Sequence, residues 1–195
     1  MTAQRLAQLA LQTALATLAT LMLAACASLS PVERAPIAVS NDEPFAIDGR
    51  LSARHGADAV TANFAWRHEA SLDELIVTTP LGQEVAELHG DARAGRVEVR
   101  TAEGLSDEAP DWATLTERAL GFRLPIDGLS AWVRGAANVG APSPFERDAA
   151  GRALVLRHQG WEIVYTYPDD AARRPSKLRL TYPELEVRLV IDHWQ

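Results

Sequence analysis

Cysteine occurs once in the 195 residues, at position 26, so no internal disulfide can form. The fold must rest on burial and hydrogen bonding alone. Histidine is also scarce. His55, His68, His89, His158 and His193 lie in different segments, and none sits at metal-ligand spacing from another histidine or the cysteine. No metal site and no cofactor is expected. No phosphate-cradling glycine motif is present. Gly128-Leu129-Ser130-Ala131-Trp132 lacks the second glycine of a nucleophile elbow. Asp107-Glu108 and Asp169-Asp170 read as solvated turn charges, so nothing points to an enzyme. Positive charge is in deficit, with a formal net charge of −7. That balance argues against nucleic acid and against electrostatic attraction to anionic lipid.

An uninterrupted apolar run long enough to span a membrane is missing too. From Leu6 to Ala25 the chain is Leu, Ala, Thr, Met and Gln, broken by Gln8, Gln12, Thr13, Thr17 and Thr20. A span needs roughly 20 mainly apolar residues. Arg5 and the amino terminus precede the stretch, and small residues close it, which is the layout of an export signal. Leu23-Ala24-Ala25-Cys26 resembles the bacterial lipobox, in which the cysteine thiol receives a diacylglyceryl group before a peptidase cuts ahead of it. A lone thiol in an exported chain asks for an explanation, and lipidation supplies one. Cys26 is thus the expected attachment site for S-diacylglyceryl and N-palmitoyl groups. Several chains anchor firmly where one anchors only marginally. Ala27 follows Cys26, not the aspartate that signals inner-membrane retention in enteric bacteria, so the outer membrane is the expected address. Removing residues 1–25 leaves 170, enough for one domain with a sizeable core, and takes the net charge to −8 with the loss of Arg5.

Residues 26–44 hold Pro31, Pro36 and Pro44 without periodicity and read as a tether. Two-residue alternation then begins, the mark of half-buried strands. It runs through Phe45, Ile47, Leu51 and Ala53, then through Val60, Ala62, Phe64 and Trp66. Leu75 and Val77 follow, then a Pro80-Leu81-Gly82 turn, then Val85, Leu88, Val97 and Val99. The middle changes period. Residues 111–121 put Trp112, Leu115, Ala119 and Leu120 on one helical stripe, with Gly121 as a stop. A second helix is expected over 127–134, ended by Gly135, and a loop over 136–144. Alternation returns at Leu154 and Leu156, then Trp161, Ile163, Tyr165 and Tyr167, then Leu178, Leu180 and Tyr182, and finally Val187, Leu189 and Ile191. About nine strands surround a helical insert. Short turns make the sheet antiparallel. So much apolar face cannot stay exposed. The sheet must curl on itself, pack as a sandwich, or leave a cavity.

A set of short motifs carries a resemblance. Phe45-x-x-x-Gly49-Arg50-Leu51 opens the domain, Phe64-Ala65-Trp66 ends the second strand, and Thr79-Pro80-Leu81-Gly82 makes a turn. Leu120-Gly121-x-x-Leu124-Pro125 separates the helices, followed by Leu129-x-x-Trp132-Val133-x-Gly135. Gln159-Gly160-Trp161 opens a strand and Val190-Ile191-Asp192-x-Trp194 closes the chain. In this order, over residues 45–195 and with the lipobox, they resemble LolB, the outer-membrane lipoprotein receptors of Gram-negative bacteria.

The resemblance implies a mainly β fold with a short helical insert: a half-open, curved antiparallel β-barrel covered by a helical lid, with an apolar cavity between. It implies acceptance of lipoproteins from the periplasmic carrier LolA and insertion of their acyl chains into the inner leaflet of the outer membrane, by a monomer facing the periplasm. The partners would be LolA, the acyl chains of client lipoproteins and outer-membrane lipid. Leu81 would be the membrane-delivery residue on a protruding loop. Phe64, Trp66, Leu75, Val77, Trp112, Leu115, Trp132, Ile163 and Tyr165 are candidates for lining the acyl cavity, and plain core packing is open for each. A structural or scaffold lipoprotein, with an ordinary apolar core and no transfer role, is the alternative.

Overall fold

The computed structural model of the protein describes residues 43–120, 123–124, 126–136 and 144–195. The expected signal peptide, Cys26, the tether up to residue 42, Gly121, Pro125 and most of the expected loop after 136 lie outside the described residues.

Eleven strands are described: β1 (Phe45–His55), β2 (Asp58–Glu69), β3 (Leu72–Thr78), β4 (Glu84–Asp91), β5 (Arg96–Thr101), β6 (Ser106–Ala109), β7 (Phe145–Arg147), β8 (Ala153–His158), β9 (Trp161–Thr166), β10 (Lys177–Tyr182) and β11 (Leu185–Trp194). They form one antiparallel sheet in the order β6-β5-β4-β3-β2-β1-β11-β10-β9-β8-β7. The expected nine thus become eleven, by the addition of the short edge strands β6 and β7. Two helices, α1 (Trp112–Leu120) and α2 (Ile126–Trp132), lie in the segment between those two edges. Strands β6 and β7 are not neighbours, so the sheet is not closed among the described residues.

Alternation determines which face is covered. Phe64 and Trp66 of β2 are buried while Ala65 and Arg67 are exposed, and Trp161, Ile163 and Tyr165 of β9 are buried. These side chains share one buried cluster with Trp112, Leu115, Ile126, Leu129 and Trp132 from the helices. The insert therefore packs on the apolar face. The burial drives the arrangement at roughly 25 cal/mol per Å² of apolar surface.

Local signals place the helices. The Asp111 carboxylate accepts a hydrogen bond from the Thr114 amide at 2.7 Å, which caps α1. That bond also holds the Asp111 carboxyl below its ordinary value. After α2, Gly135 takes φ +73°, and its amide donates to the Trp132 carbonyl at 2.9 Å. Only glycine enters that left-handed turn cheaply, so the expected stop at Gly135 is where the structure turns.

Candidate functional site

Sheet topology sorts the turns into two ends. Hairpins β1–β2, β3–β4, β5–β6, β8–β9 and β10–β11 share one end, and the chain enters β1 at the other. The β3–β4 turn carries Leu81. The Gly82 amide donates to Thr79 O at 2.8 Å, the Thr79 amide donates to Gln83 O at 2.7 Å, and Gly82 has φ +87°. This tight turn leaves Leu81 90% exposed. Its neighbour, the β5–β6 turn, projects Leu105, which is 66% exposed. The Ala102 amide donates to Val85 O at 3.1 Å and ties that turn to the start of β4. Leu105 escapes a reading by periodicity, but its setting repeats that of Leu81: a leucine beside glycine in a hairpin turn.

At the same end a cleft of about 400 Å³ opens, lined by His55, Ala113, Arg123, Gln159, Trp161, Tyr182, Pro183 and Leu185. Trp161 and Tyr182 stack in its wall with ring centroids 5.0 Å apart. The inner neighbour of Trp161 is Trp132 of α2, at 6.0 Å between ring centroids. Trp161 thus belongs both to the wall of the cleft and to the helix–sheet core.

None of the nine cavity candidates lines this cleft. Phe64, Trp66, Trp112, Leu115, Trp132, Ile163 and Tyr165 are buried in one core cluster, Leu75 is half-buried against it, and Val77 is half-buried. The structure brings the nine together on the covered face of the sheet and on the helices above it. Sequence reasoning missed the cleft residues because most of them belong to turns, which carry no period.

Polar atoms inside the core are few. The Trp66 indole donates to Asp73 Oδ1 at 2.8 Å, and His68 Nδ1 lies 2.8 Å from the same oxygen. Trp132 Nε1 and Tyr165 Oη are different: both are buried and, among the described residues, neither has a hydrogen-bond partner. Burial pushes the Tyr165 phenol well above its ordinary value, so it stays a protonated donor.

An open antiparallel sheet with one apolar face, and two short helices packed in the same core, defines a mainly β class of protein. Comparison with known proteins gives the family. The profile of "Outer membrane lipoprotein LolB" matches residues 43–194. The outer-membrane lipoprotein LolB of Azoarcus sp. is 34% identical over 184 residues, covering 93% of this chain and 94% of its own length. That of Thiobacillus denitrificans is 34% identical, covering 89% and 91%, and that of Nitrosomonas europaea is 33% identical, covering 86% and 79%. Among solved structures, a DUF1329 family protein from Desulfovibrio piger shares the fold at TM-score 0.50 and 8% identity, over 79% of this chain and 85% of its own. The chain belongs to the LolB family. It is an outer-membrane lipoprotein receptor, lipid-anchored and facing the periplasm.

Proposed function

We propose that this receptor takes lipoproteins from the periplasmic carrier LolA into an apolar space beneath α1 and α2, and releases their acyl chains into the inner leaflet of the outer membrane. Lipid on Cys26 holds it there. In this reading the sheet is a half-open barrel and the helical insert its lid. The observation that supports the reading is the placement of the insert: the helices lie in the segment between the two edge strands and share a buried cluster with the apolar face of the sheet. Each buried CH₂ contributes about 0.8 kcal/mol, so acyl chains cannot cross water unshielded. Transfer runs downhill if the acceptor binds better than the donor, without nucleotide. Family membership weighs against the scaffold alternative.

The cleft is the entry, since it opens at the same end of the sheet as the projecting leucines and its wall residue Trp161 neighbours Trp132 of α2. Delivery belongs to Leu81, assisted by Leu105. Exposed leucines enter an acyl layer without needing anionic lipid, which an acidic protein would repel.

A two-stage assay tests this: carrier to receptor, then receptor to liposomes. Leu81→Glu is expected to leave the first stage within about twofold of wild type and to slow the second at least tenfold. Its thermal midpoint should be unchanged, because a turn residue 90% exposed buries little. Leu105→Glu should slow the second stage less, and the two substitutions together more than either. Loss of both stages in Leu81→Glu would make the residue structural, and loss of neither would make it an ordinary turn residue.

A further inference from the structure

Two hydrogen-bond donors stand unused in a core that is mostly hydrocarbon. Trp132 Nε1 and Tyr165 Oη are buried, and neither has a partner among the described residues. Trp132 is 0% exposed and Tyr165 4%. The rings near Trp132 belong to His158, at 5.8 Å and edge-on, and Trp161, at 6.0 Å and tilted. An aromatic face is at best a weak acceptor. Tyr165 points inward with Trp161 and Ile163, by the alternation of β9. A buried donor left unmade destabilises the fold, and phenylalanine at 165 would avoid that loss. Elsewhere the molecule does satisfy such a group: the equally buried Trp66 indole has Asp73. A purely hydrocarbon ligand would give the two donors nothing to bind.

We infer that Trp132 Nε1–H and Tyr165 Oη–H donate to the carbonyl oxygens that join acyl chains to the head of an acylated cysteine. The inference rests on the proposed function and adds to it what the apolar face alone cannot supply, recognition of the ester or amide linkage. A triacylated cysteine brings two ester carbonyls and one amide carbonyl, enough acceptors for both donors. Neither group changes protonation, and no bond is made or broken. A diacyl phospholipid carries the same esters, so the test separates the two sources.

The mature lipidated protein, affinity-captured in mild detergent, is offered three radiolabelled probes: a triacylated cysteinyl peptide, its analogue with ether and alkylamine links in place of the carbonyls, and a diacyl phosphatidylethanolamine. Retained label is measured against a protein-free control. Wild type is expected to hold the carbonyl-bearing peptide roughly two- to tenfold better than the ether analogue for each hydrogen bond made. Tyr165→Phe and Trp132→Phe should each shrink that ratio, which is read within each variant. Tyr165→Phe should also melt at or above the wild-type temperature. Equal retention of ester and ether forms by wild type overturns the inference and leaves the proposed function standing. Retention of neither peptide overturns the proposed function itself. Retention of the phosphatidylethanolamine as strong as that of the carbonyl-bearing peptide assigns the donors to bulk lipid and overturns recognition of the client. If a variant fails to fold, the ester–ether comparison on wild type decides alone.

Discussion

Asp73 and His158 show how single buried polar groups shape this core. Asp73 is 4% exposed and collects two contacts, the Trp66 indole and His68 Nδ1, each at 2.8 Å. Phe45 stacks on His68 at 5.2 Å and meets Trp66 edge-on at 5.0 Å, so the polar trio is walled in by an aromatic ring. His158 lies at the other side of the core, 5% exposed, and burial holds its imidazole below the ordinary value of 6.5. The unfolded chain therefore binds a proton there more readily than the folded one. By linkage, stability is full above 6.5 and falls as the pH drops through that value. His193 acts in the opposite sense. The Asp48 carboxylate at 2.8 Å raises it, so its contribution is present below 6.5 and is lost as the pH rises through its higher folded value. Full exposure makes that contribution small. The thermal midpoint should thus fall from pH 7.5 to pH 5.5, and His158→Gln should flatten that slope. Equal slopes for wild type and variant would assign the acid loss to other groups.

Between elements, α1 approaches the sheet closely at one glycine. A Cβ on Gly90 of β4 would sit 2.8 Å from Trp112 Cε2 and 2.9 Å from its Nε1. The Trp112 ring is 1% exposed and has no room to retreat. Gly90→Ala should push α1 outwards at about 1–3 kcal/mol, and lower the midpoint by roughly 2–4 °C for each kcal/mol. Gly95→Ala is the control: it sits at φ +61° with nothing near its Cβ position, so its loss comes from backbone strain without displacing the helix. If the two variants give the same fluorescence from Trp112, the helix does not depend on that glycine. The longer elements could be read from the chain because their signals are local. Strand β9 shows its alternation over Trp161–Thr166, and α1 has both a cap at Asp111 and its apolar stripe. Strand β6 shows neither. Its four residues are Ser106-Asp107-Glu108-Ala109, with Ala109 alone buried, and it exists because it pairs with β5 and through the Arg96–Glu108 ion pair. Strand β7 is three residues long, and the Arg157–Glu146 pair at 2.6 Å links it to β8. Pairing of this kind is invisible until the partner strand is in place. The candidate site divides the same way. Exposure of Leu81 follows from Pro80-Leu81-Gly82. The cleft does not, because Gln159, Tyr182 and Pro183 meet Ala113 and Arg123 only through the topology.

For the molecule as a whole, the decisive quantity is the space beneath the insert. The described cleft holds about 400 Å³, towards the small end for sites that bind drug-sized ligands. Three acyl chains are larger than such a ligand, and the seven buried candidates pack together in the core with their own side chains. On the proposed reading, with clients bound beneath the insert, acceptance requires α1 and α2 to part from the sheet. The sheet resists, since each of its strands is laddered to its neighbours, whereas the helices are held by side-chain packing on one face. Apparent affinity then equals intrinsic affinity scaled by the fraction of molecules with the insert lifted. Hydrogen exchange should report this directly. In the empty protein the amides of 112–120 and 126–132 should exchange faster than those of the central strands β1, β2 and β11, because they open locally without global unfolding. Loading with a triacylated peptide should change protection in the two helices and leave the central strands as they were. Stabilising the helix–sheet interface without touching the donors or the cleft should weaken capture by slowing its opening. Exchange at equal rates in helices and central strands, or loading that alters β1, β2 and β11, would mean that the ligand enters by another route and that the insert is a fixed wall.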